Sequence, residues 1–205
     1  RGPIGPNVFI PIAEESDLIL QLGEWALNRA CKDALAWPSS VRVAVNVSAA
    51  QFAHSEFAET VTQALEASGL EAGRLELELT ESVFMGDSET VEETFSLLKK
   101  LGIRLALDDF GTGYSSLSYL RSAPFDKLKV DRSFVDSCTL KDQNSDKIIA
   151  AIIGLSEALG MEVIVEGVEA FDQLDVVKSK GARYIQGWIY SKALTQSAIV
   201  ERMKS

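Results

Sequence analysis

The sequence is poor in the side chains that usually bind zinc, with one histidine and two cysteines among its 205 residues. His54 stands alone, which leaves a histidine-based zinc site or a Ser-His-Asp triad almost nothing on which to build. Cys31 and Cys138 are far apart and lack the spacing of metal ligands. We interpret both as reduced, buried thiols of a cytosolic protein.

Long hydrophobic runs and an excess of positive charge are also missing. The longest apolar run, Ile148–Leu155, is far shorter than the roughly 20 residues that cross a bilayer, and we expect no signal peptide. The net charge of −10 argues against a nucleic-acid polymer as partner, because phosphates would be repelled. A hydrophobic share of 46% is typical of a globular domain. Since the sequence begins with Arg1 rather than Met, we expect a piece of a longer chain.

A strand-like segment, a helical segment and a glycine recur in that order along the chain. The predicted strands are Val41–Val47, Arg74–Leu79, Ile103–Leu107, Lys127–Val130, Glu162–Val165 and Arg183–Gln186. Apolar residues recur every three or four positions in the helical segments, for example Val91, Phe95 and Leu98, or Ile148, Ile152, Leu155 and Leu159. The glycines that end helices are predicted to be Gly69, Gly102, Gly160 and Gly181.

The first forty residues differ from this pattern and predict one or two helices, Ile10–Ala13 and Asp17–Leu35, without a strand. Ser16 and Ser145 are predicted helix N-caps. Strands that alternate with helices predict an α/β fold with parallel pairing. An open doubly wound sheet and a closed barrel both fit, although only six strands are visible where a barrel needs about eight. No linker divides the chain, so residues 1–205 are predicted to form one domain.

Polar side chains gather at the ends of the predicted strands. They are Asn46, Glu78, Glu81, Asp108, Asp109, Lys129, Asp131, Glu166, Glu169 and Gln186. Any one such carboxylate is more often a helix cap or a solvated loop residue, but such a group on each of six successive strands is hard to dismiss. In a barrel these ends share one rim, where barrel enzymes have their active sites. Oxygen ligands without histidine or cysteine favour Mg²⁺ or Mn²⁺.

A glycine-rich loop, Gly111-Thr112-Gly113, follows the third predicted strand. It lacks the third glycine of the dinucleotide fingerprint and the Gly-Lys-Ser/Thr of a P-loop, so a nucleotide fingerprint is not indicated. A mobile loop beside Asp108-Asp109, with Gly111 and Gly113 as hinges, fits the sequence better.

Six motifs in order give the sequence a family resemblance. They are Asn46-Val47-Ser48, Glu78-Leu79-Thr80-Glu81, Asp108-Asp109-Phe110-Gly111-Thr112-Gly113, Lys127-Leu128-Lys129-Val130-Asp131, Glu166-Gly167-Val168-Glu169 and Gln186-Gly187. From about Phe9 to Leu194 the chain resembles the EAL domain of bacterial cyclic-di-GMP phosphodiesterases. The resemblance implies a modified TIM barrel that hydrolyses cyclic di-GMP to linear pGpG with two ions of Mg²⁺ or Mn²⁺.

The resemblance also implies a role for each motif residue. Asn46, Glu78, Asp108, Asp109 and Glu166 are implied metal ligands, with Lys129, Glu166 and Asp109 as the catalytic set and Lys129 orienting the attacking water. Asp131, Glu169 and Gln186 are implied to support the site or the substrate. Glu81 is implied to steady the Asp109–Tyr114 loop, which in the family couples metal binding to dimer contacts.

One departure from the family concerns its signature. The Glu-Ala-Leu on the family's second strand is absent, so we expect a chain that starts after that strand, lacks two strands and one ligand, and hydrolyses little by itself. The intact parent is predicted to be a cytoplasmic or membrane-attached phosphodiesterase. We expect it to form a homodimer and to carry a cyclase-like or sensor domain upstream. The alternatives are an inactive EAL domain that acts as a cyclic-di-GMP receptor or interaction module, and a structural barrel half used for dimerisation.

Overall fold

The computed structural model describes residues 2, 4–86, 88–111, 120, 122–139 and 143–203. They fall into two compact units, residues 1–104 and 105–205. The described strands are β1 (Val43–Val47), β2 (Leu75–Thr80), β3 (Arg104–Phe110), β4 (Lys127–Val130), β5 (Glu162–Val165) and β6 (Tyr184–Ile185). The predicted parallel α/β class is confirmed, since the pairs β1–β2, β3–β4, β4–β5 and β5–β6 are all parallel.

Helices separate most of these strands. They are α1 (Pro6–Glu15), α2 (Leu18–Ala34), α3 (Ala49–Phe52), α4 (Phe57–Ser68), α5 (Ser88–Leu101), α6 (Arg132–Thr139), α7 (Gln143–Ala158), α8 (Phe171–Ser179) and α9 (Gln196–Arg202). Short 3₁₀ turns precede and follow β2, at Ala72–Arg74 and Glu81–Met85. Among the described residues, no helix is both long and apolar enough to cross a membrane.

The first unit has its core between the β1–β2 pair and helices α2, α4 and α5. Val43, Val45 and Val47 alternate with exposed residues along β1, which buries one face of the strand. The ring of Phe52 lies at the centre of an aromatic cluster, with centroids 5.7 Å from Phe57 and 4.6 Å from Phe95. These contacts fix the helices on the face of the strands opposite Asn46 and Glu78.

Arg74 ties the end of α2 to the start of β2. Its guanidinium donates to the carbonyl oxygens of Ala34 at 2.7 Å and Val41 at 3.0 Å. The Ala34 carbonyl lies at the end of the helix, where it lacks an intrahelical partner, and the Val41 carbonyl lies just before β1. Arg74 therefore belongs to the turn before β2, which begins one residue later than predicted.

The second unit contains β3 to β6, which lie side by side in chain order. Its core joins the strands to α6, α7 and α8 through fully buried side chains, among them Val135, Ile149, Val165 and Val177. The predicted helix-ending glycines Gly69, Gly102, Gly160 and Gly181 all adopt positive φ, which relieves the Cβ clash that other residues would meet.

Two local predictions are wrong. Ser16 ends α1 and donates its Oγ to the Ile12 carbonyl instead of starting α2. Ser145 lies inside α7 rather than at its start. The buried stripe of α7 is Ile149, Ile152, Ile153 and Ser156, whereas Ile148 is exposed, because a nearly continuous apolar run does not reveal by itself which face packs inward. Cys31 is buried, as predicted, and the side chain of Cys138 lies outside the described residues.

Candidate active site

In the first unit, Asn46 and Glu78 are cross-strand partners in the parallel β1–β2 pair. Their side chains share the face opposite the buried valines and leucines, because side chains alternate along a strand. Ser48 ends β1 with a reciprocal cap: its Oγ accepts from the Gln51 amide and Gln51 Oε1 accepts from the Ser48 amide. The cap fixes the end of the strand two residues beyond Asn46. Asn46 is exposed, whereas Glu78 is 8% exposed.

In the second unit, Asp108 and Asp109 occupy a β-bulge. Leu107 pairs with Leu128 and Phe110 pairs with Val130, so both aspartates lie opposite the single residue Lys129. Asp109 adopts φ 53°, a left-handed conformation that aspartate tolerates better than most residues. Its amide donates to Asp108 Oδ1 at 2.9 Å. The bulge therefore breaks the alternation that would send two neighbouring carboxylates to opposite faces.

Lys129 lies between two carboxylates that come from the neighbouring strands. Its Nζ is 3.0 Å from Asp108 Oδ1 on β3 and 2.7 Å from Glu166 Oε1 at the end of β5. The lysine is 3% exposed, and a buried ammonium is strongly unfavourable without such partners. The amide of Glu166 donates to the Val130 carbonyl at 3.0 Å, which fixes the start of the segment that carries this carboxylate.

The carboxylates of Asp108, Asp109 and Glu166 form a set that fits a divalent cation. One oxygen from each lies within 4.8 Å of the others. Three carboxylates with one ammonium leave an excess of two negative charges within this group. Burial raises the pKa of Asp109, the charges of Asp108 and Asp131 raise it further, and only Lys129 lowers it. A hard cation such as Mg²⁺ or Mn²⁺ would relieve this repulsion, because such ions prefer oxygen ligands.

The other predicted residues of the second unit surround this cluster. Asp131 caps α6, since its Oδ1 accepts from the Ser133 amide at 3.0 Å and from the Ser133 hydroxyl. Glu169 Oε1 lies 2.5 Å from Arg132 Nη1. The backbone of Gln186 bridges two segments: its amide donates to the Val165 carbonyl at 2.9 Å and its carbonyl accepts from the Val168 amide at 3.1 Å.

A cavity of about 530 Å³ opens beside Glu166 and Gln186. It is lined by Arg132, Glu166, Gly167, Glu169, Gln186, Gly187, Trp188, Ser191, Lys192, Ala193, Leu194 and Ile199. The Lys192 ammonium lies 5.1 Å from the centre of a Trp188 ring, a distance typical of a cation–π contact. The cavity thus combines an aromatic surface with cations and an amide next to the carboxylate cluster.

Two predictions concern the loop after β3, which the structure describes only in part. Gly111 has φ +96°, and an added Cβ would come within 2.7 Å of the Phe134 ring, so this position requires glycine. Thr112 and Gly113 lie outside the described residues, and so does half of the Asp109–Tyr114 loop that Glu81 is predicted to steady. Glu81 itself begins the 3₁₀ turn after β2.

The model of the EAL domain family matches residues 1–193. The chain belongs to the EAL domain family. It is 39% identical to the cyclic di-GMP phosphodiesterase NbdA of Pseudomonas aeruginosa, over 100% of this chain and 27% of NbdA.

Solved EAL structures share the fold. The PaMucR phosphodiesterase in complex with c-di-GMP has a TM-score of 0.91 at 36% identity, over 97% of this chain and 82% of that one. The manganese and cyclic-di-GMP complex of Klebsiella pneumoniae BlrP1 has a TM-score of 0.73 at 28% identity, over 86% and 44% of the two chains. These likenesses confirm the predicted TIM-barrel type of fold. The chain spans about a quarter of the length of the curated relatives that it matches first.

Sequence reasoning missed several residues of this EAL domain that the structure brings to the cluster or its cavity. Arg132 follows Asp131 directly, but nothing in the sequence shows that its guanidinium reaches Glu169, 37 positions later. Trp188 and Lys192 follow the Gln186-Gly187 motif closely. This pair could have been predicted from its position, because an aromatic residue and a lysine follow a motif at a strand end.

Proposed function

We propose that the protein containing this EAL domain hydrolyses one phosphodiester bond of cyclic di-GMP to give linear pGpG, using Mg²⁺ or Mn²⁺ in a site of two ions. The observation that carries the proposal is the cluster of Asp108, Asp109, Lys129 and Glu166. Its excess negative charge disfavours an anionic substrate unless cations are present. The names of NbdA and of the PaMucR complex support cyclic di-GMP as the substrate.

Asp108, Asp109 and Glu166 would hold the cations in the second unit, where their oxygens already converge. Asn46 and Glu78 are proposed as further ligands because they match the family motifs, and they lie in register on β1 and β2. When bound, the ions would acidify a water molecule and neutralise charge on the phosphate.

Lys129 and Glu166 would act on the attacking water. As an ammonium, Lys129 can donate a hydrogen bond to the water but cannot accept its proton, so its proposed role is to orient that water. A carboxylate such as Glu166 can accept the proton. Because pGpG carries a 5′-phosphate, the water oxygen forms a bond to phosphorus while the bond from phosphorus to O3′ breaks and O3′ leaves protonated. Asp131, Glu169, Gln186 and Glu81 would keep these groups in place.

The finer parts of the proposal concern the whole protein. Residues 1–205 would belong to a single EAL-type barrel domain that acts as a homodimer in the bacterial cytoplasm or on the cytoplasmic side of a membrane. A cyclase-like or sensor domain would precede it. The support for further domains is that the matched segment is only a quarter or so of each relative.

The test is turnover of cyclic di-GMP by the whole protein, with nucleotides separated by chromatography. We expect pGpG to form with Mn²⁺ and not with EDTA, and we expect Asp108→Ala and Glu78→Ala to abolish its formation. Asp33→Ala is the matched control, because this carboxylate pairs with Arg29 on the surface of α2. Tight binding of cyclic di-GMP without turnover would instead support the receptor alternative. Normal turnover in Asp108→Ala would remove that residue from the site.

A further inference from the structure

The segment that follows β5 carries Glu166 into the cluster and then turns sharply. Val168, which is fully buried, donates its amide to the Gln186 carbonyl at 3.1 Å and accepts from the Ile189 amide at 3.1 Å. Between Glu166 and Val168 lies Gly167, with φ +70°. The direction in which the Glu166 carboxylate leaves the strand therefore depends on what holds this turn.

Arg132 covers the turn from the start of α6. A Cβ added to Gly167 would collide with the Cβ, Cγ and Cδ of Arg132, so the aliphatic part of this arginine lies directly against the glycine backbone. A glycine with left-handed backbone at this point lets the arginine approach more closely than any other residue would allow.

The guanidinium of Arg132 pairs with two carboxylates, one on each side. Its Nη1 lies 2.5 Å from Glu169 Oε1, and its Nε lies 3.0 Å from Asp136 Oδ2 one helical turn later. Such charge-assisted bonds, with separate nitrogens on separate carboxylates, fix the plane of a guanidinium. Arg132 thereby links α6 to the residue that ends the Glu166–Glu169 turn.

Gln173 on α8 completes the connection. Its side-chain oxygen accepts from the amides of Glu169 at 2.7 Å and Ala170 at 3.1 Å. Its Nε2 lies 3.5 Å from Asp136 Oδ1, the same carboxylate that binds Arg132. Arg132, Asp136, Gln173 and Glu169 therefore form a closed ring around the turn, which we call the turn clamp.

We propose that Arg132 is a positioning residue for the metal site, and that through the turn clamp it holds Glu166 where its carboxylate meets Asp108 and Asp109. The inference rests on the proposed metal-dependent function. A ligand set works only if its members keep their geometry to within about 0.5 Å, and residues that support ligands affect metal affinity strongly. Since the Arg132 side chain is 48% exposed, its ion pairs contribute little to global stability. The effect of an Arg132 substitution on global stability can thus be separated from its effect on the position of Glu166.

The experiment compares the wild-type whole protein with Arg132→Ala, Arg132→Lys and the control Arg29→Ala. Arg29 makes an i,i+4 ion pair at 2.9 Å to Asp33, and its side chain is exposed to a similar extent as that of Arg132. None of the proposed metal ligands belongs to α2. Three properties are measured: the affinity for Mn²⁺ alone by isothermal titration calorimetry, hydrogen exchange of the amides of residues 168–170 without metal, and the melting temperature.

We expect Arg132→Ala to weaken Mn²⁺ binding by about 10- to 100-fold and to speed exchange at residues 168–170, with an unchanged melting temperature. Arg132→Lys should restore part of the affinity, because it keeps the charge and the aliphatic stem but not the two-sided contact. Arg29→Ala should match the wild type in Mn²⁺ affinity and in exchange at residues 168–170.

Unchanged exchange at residues 168–170 in Arg132→Ala would overturn the turn clamp. Faster exchange with unchanged Mn²⁺ affinity would overturn the positioning role. If the wild type does not bind Mn²⁺ at all, the proposed function fails instead, and the exchange measurement still decides whether Arg132 holds the turn.

Discussion

Each unit of this EAL domain buries acidic side chains, but it balances them differently. In the first unit, Glu76 is 2% exposed and lies opposite one guanidinium, with its Oε2 3.5 Å from Arg104 Nε. In the second unit, Asp108 and Glu166 share the single ammonium of Lys129, and Asp109 adds a third carboxylate. The Glu76–Arg104 pair balances one charge with one charge, whereas the group of Asp108, Asp109, Glu166 and Lys129 keeps an excess of two.

The difference separates the Glu76–Arg104 ion pair from the proposed cation site. A buried pair of opposite charges already compensates part of its own desolvation. A partly buried cluster with excess negative charge is unfavourable until a cation or a proton neutralises it, and here Asp108 is buried, Glu166 half-buried and Asp109 exposed. Burial is the largest cause of the raised pKa of Asp109, and the charges of Asp108 and Asp131 raise it further. Both units contain buried carboxylates, so the charge balance is more informative than the count of acidic residues.

Removing the ammonium should have the largest effect. Lys129→Met leaves Asp108 and Glu166 buried without their shared partner, and we expect a loss of about 3–5 kcal/mol in the free energy of unfolding without metal. Saturating Mn²⁺ should recover part of this loss. Arg104→Met is the matched variant of the first unit and should lose less, because the Arg104 side chain is 22% exposed. Chemical denaturation with and without Mn²⁺ measures both; equal recovery by Mn²⁺ in the two variants would contradict the comparison.

Metal addition should stabilise the wild type by a smaller amount. A ligand that binds only the folded state adds about 2.7 kcal/mol at a concentration 100 times its dissociation constant. We expect Mn²⁺ to raise the melting temperature in calorimetry and EDTA to reverse the rise. Asp108→Asn should abolish the rise, since it removes one negative charge from the cluster. An undiminished rise in that variant would place the ion elsewhere.

Asp109→Asn should stabilise the metal-free protein at neutral pH. The pKa of Asp109 is higher in the folded state than normal, so the wild type loses stability as the pH rises through that folded-state pKa. Asparagine has no charge to lose and also tolerates the left-handed backbone at this position. Melting temperatures across a pH series should therefore show an advantage for the variant at pH 7 that disappears below about pH 4. An advantage independent of pH would point to the backbone alone.

The smallest effect is expected at an exposed pair. Arg29→Ala removes a contact to Asp33 on the surface of α2, and such i,i+4 pairs contribute about 0.3–0.5 kcal/mol. Chemical denaturation should show a change within that range, and neither Mn²⁺ nor EDTA should alter it. A larger loss would mean that exposed ion pairs stabilise this fold by more than this range.

Much of the fold followed from local sequence. β4 and β5 begin and end where the β-branched runs predict, and Gly69, Gly102, Gly160 and Gly181 adopt the predicted positive φ. β6 is only two residues long, shorter than predicted. The apolar residues of α5, Val91, Phe95 and Leu98, are buried as their spacing predicts. α7 could not be oriented in this way, because its apolar residues cover more than one face.

The candidate site was predictable in its chemistry but not in its geometry. Asp108 and Asp109 stood out as adjacent carboxylates at a strand end, but alternation along a regular strand would separate them. The bulge opposite Lys129 brings their oxygens together with Glu166. A bulge is a mismatch in length between two paired strands, so neither strand encodes it alone.

The sequence by itself determined the order of strands and helices and the acidic character of the strand ends, because both depend on neighbouring residues and on side-chain chemistry. The tertiary structure alone decided which carboxylates share Lys129, which face of α7 packs inward, and that Arg132 reaches Glu169. Those features depend on contacts between segments that are distant along the chain. Their geometry is fixed only when the strands pair and the helices pack.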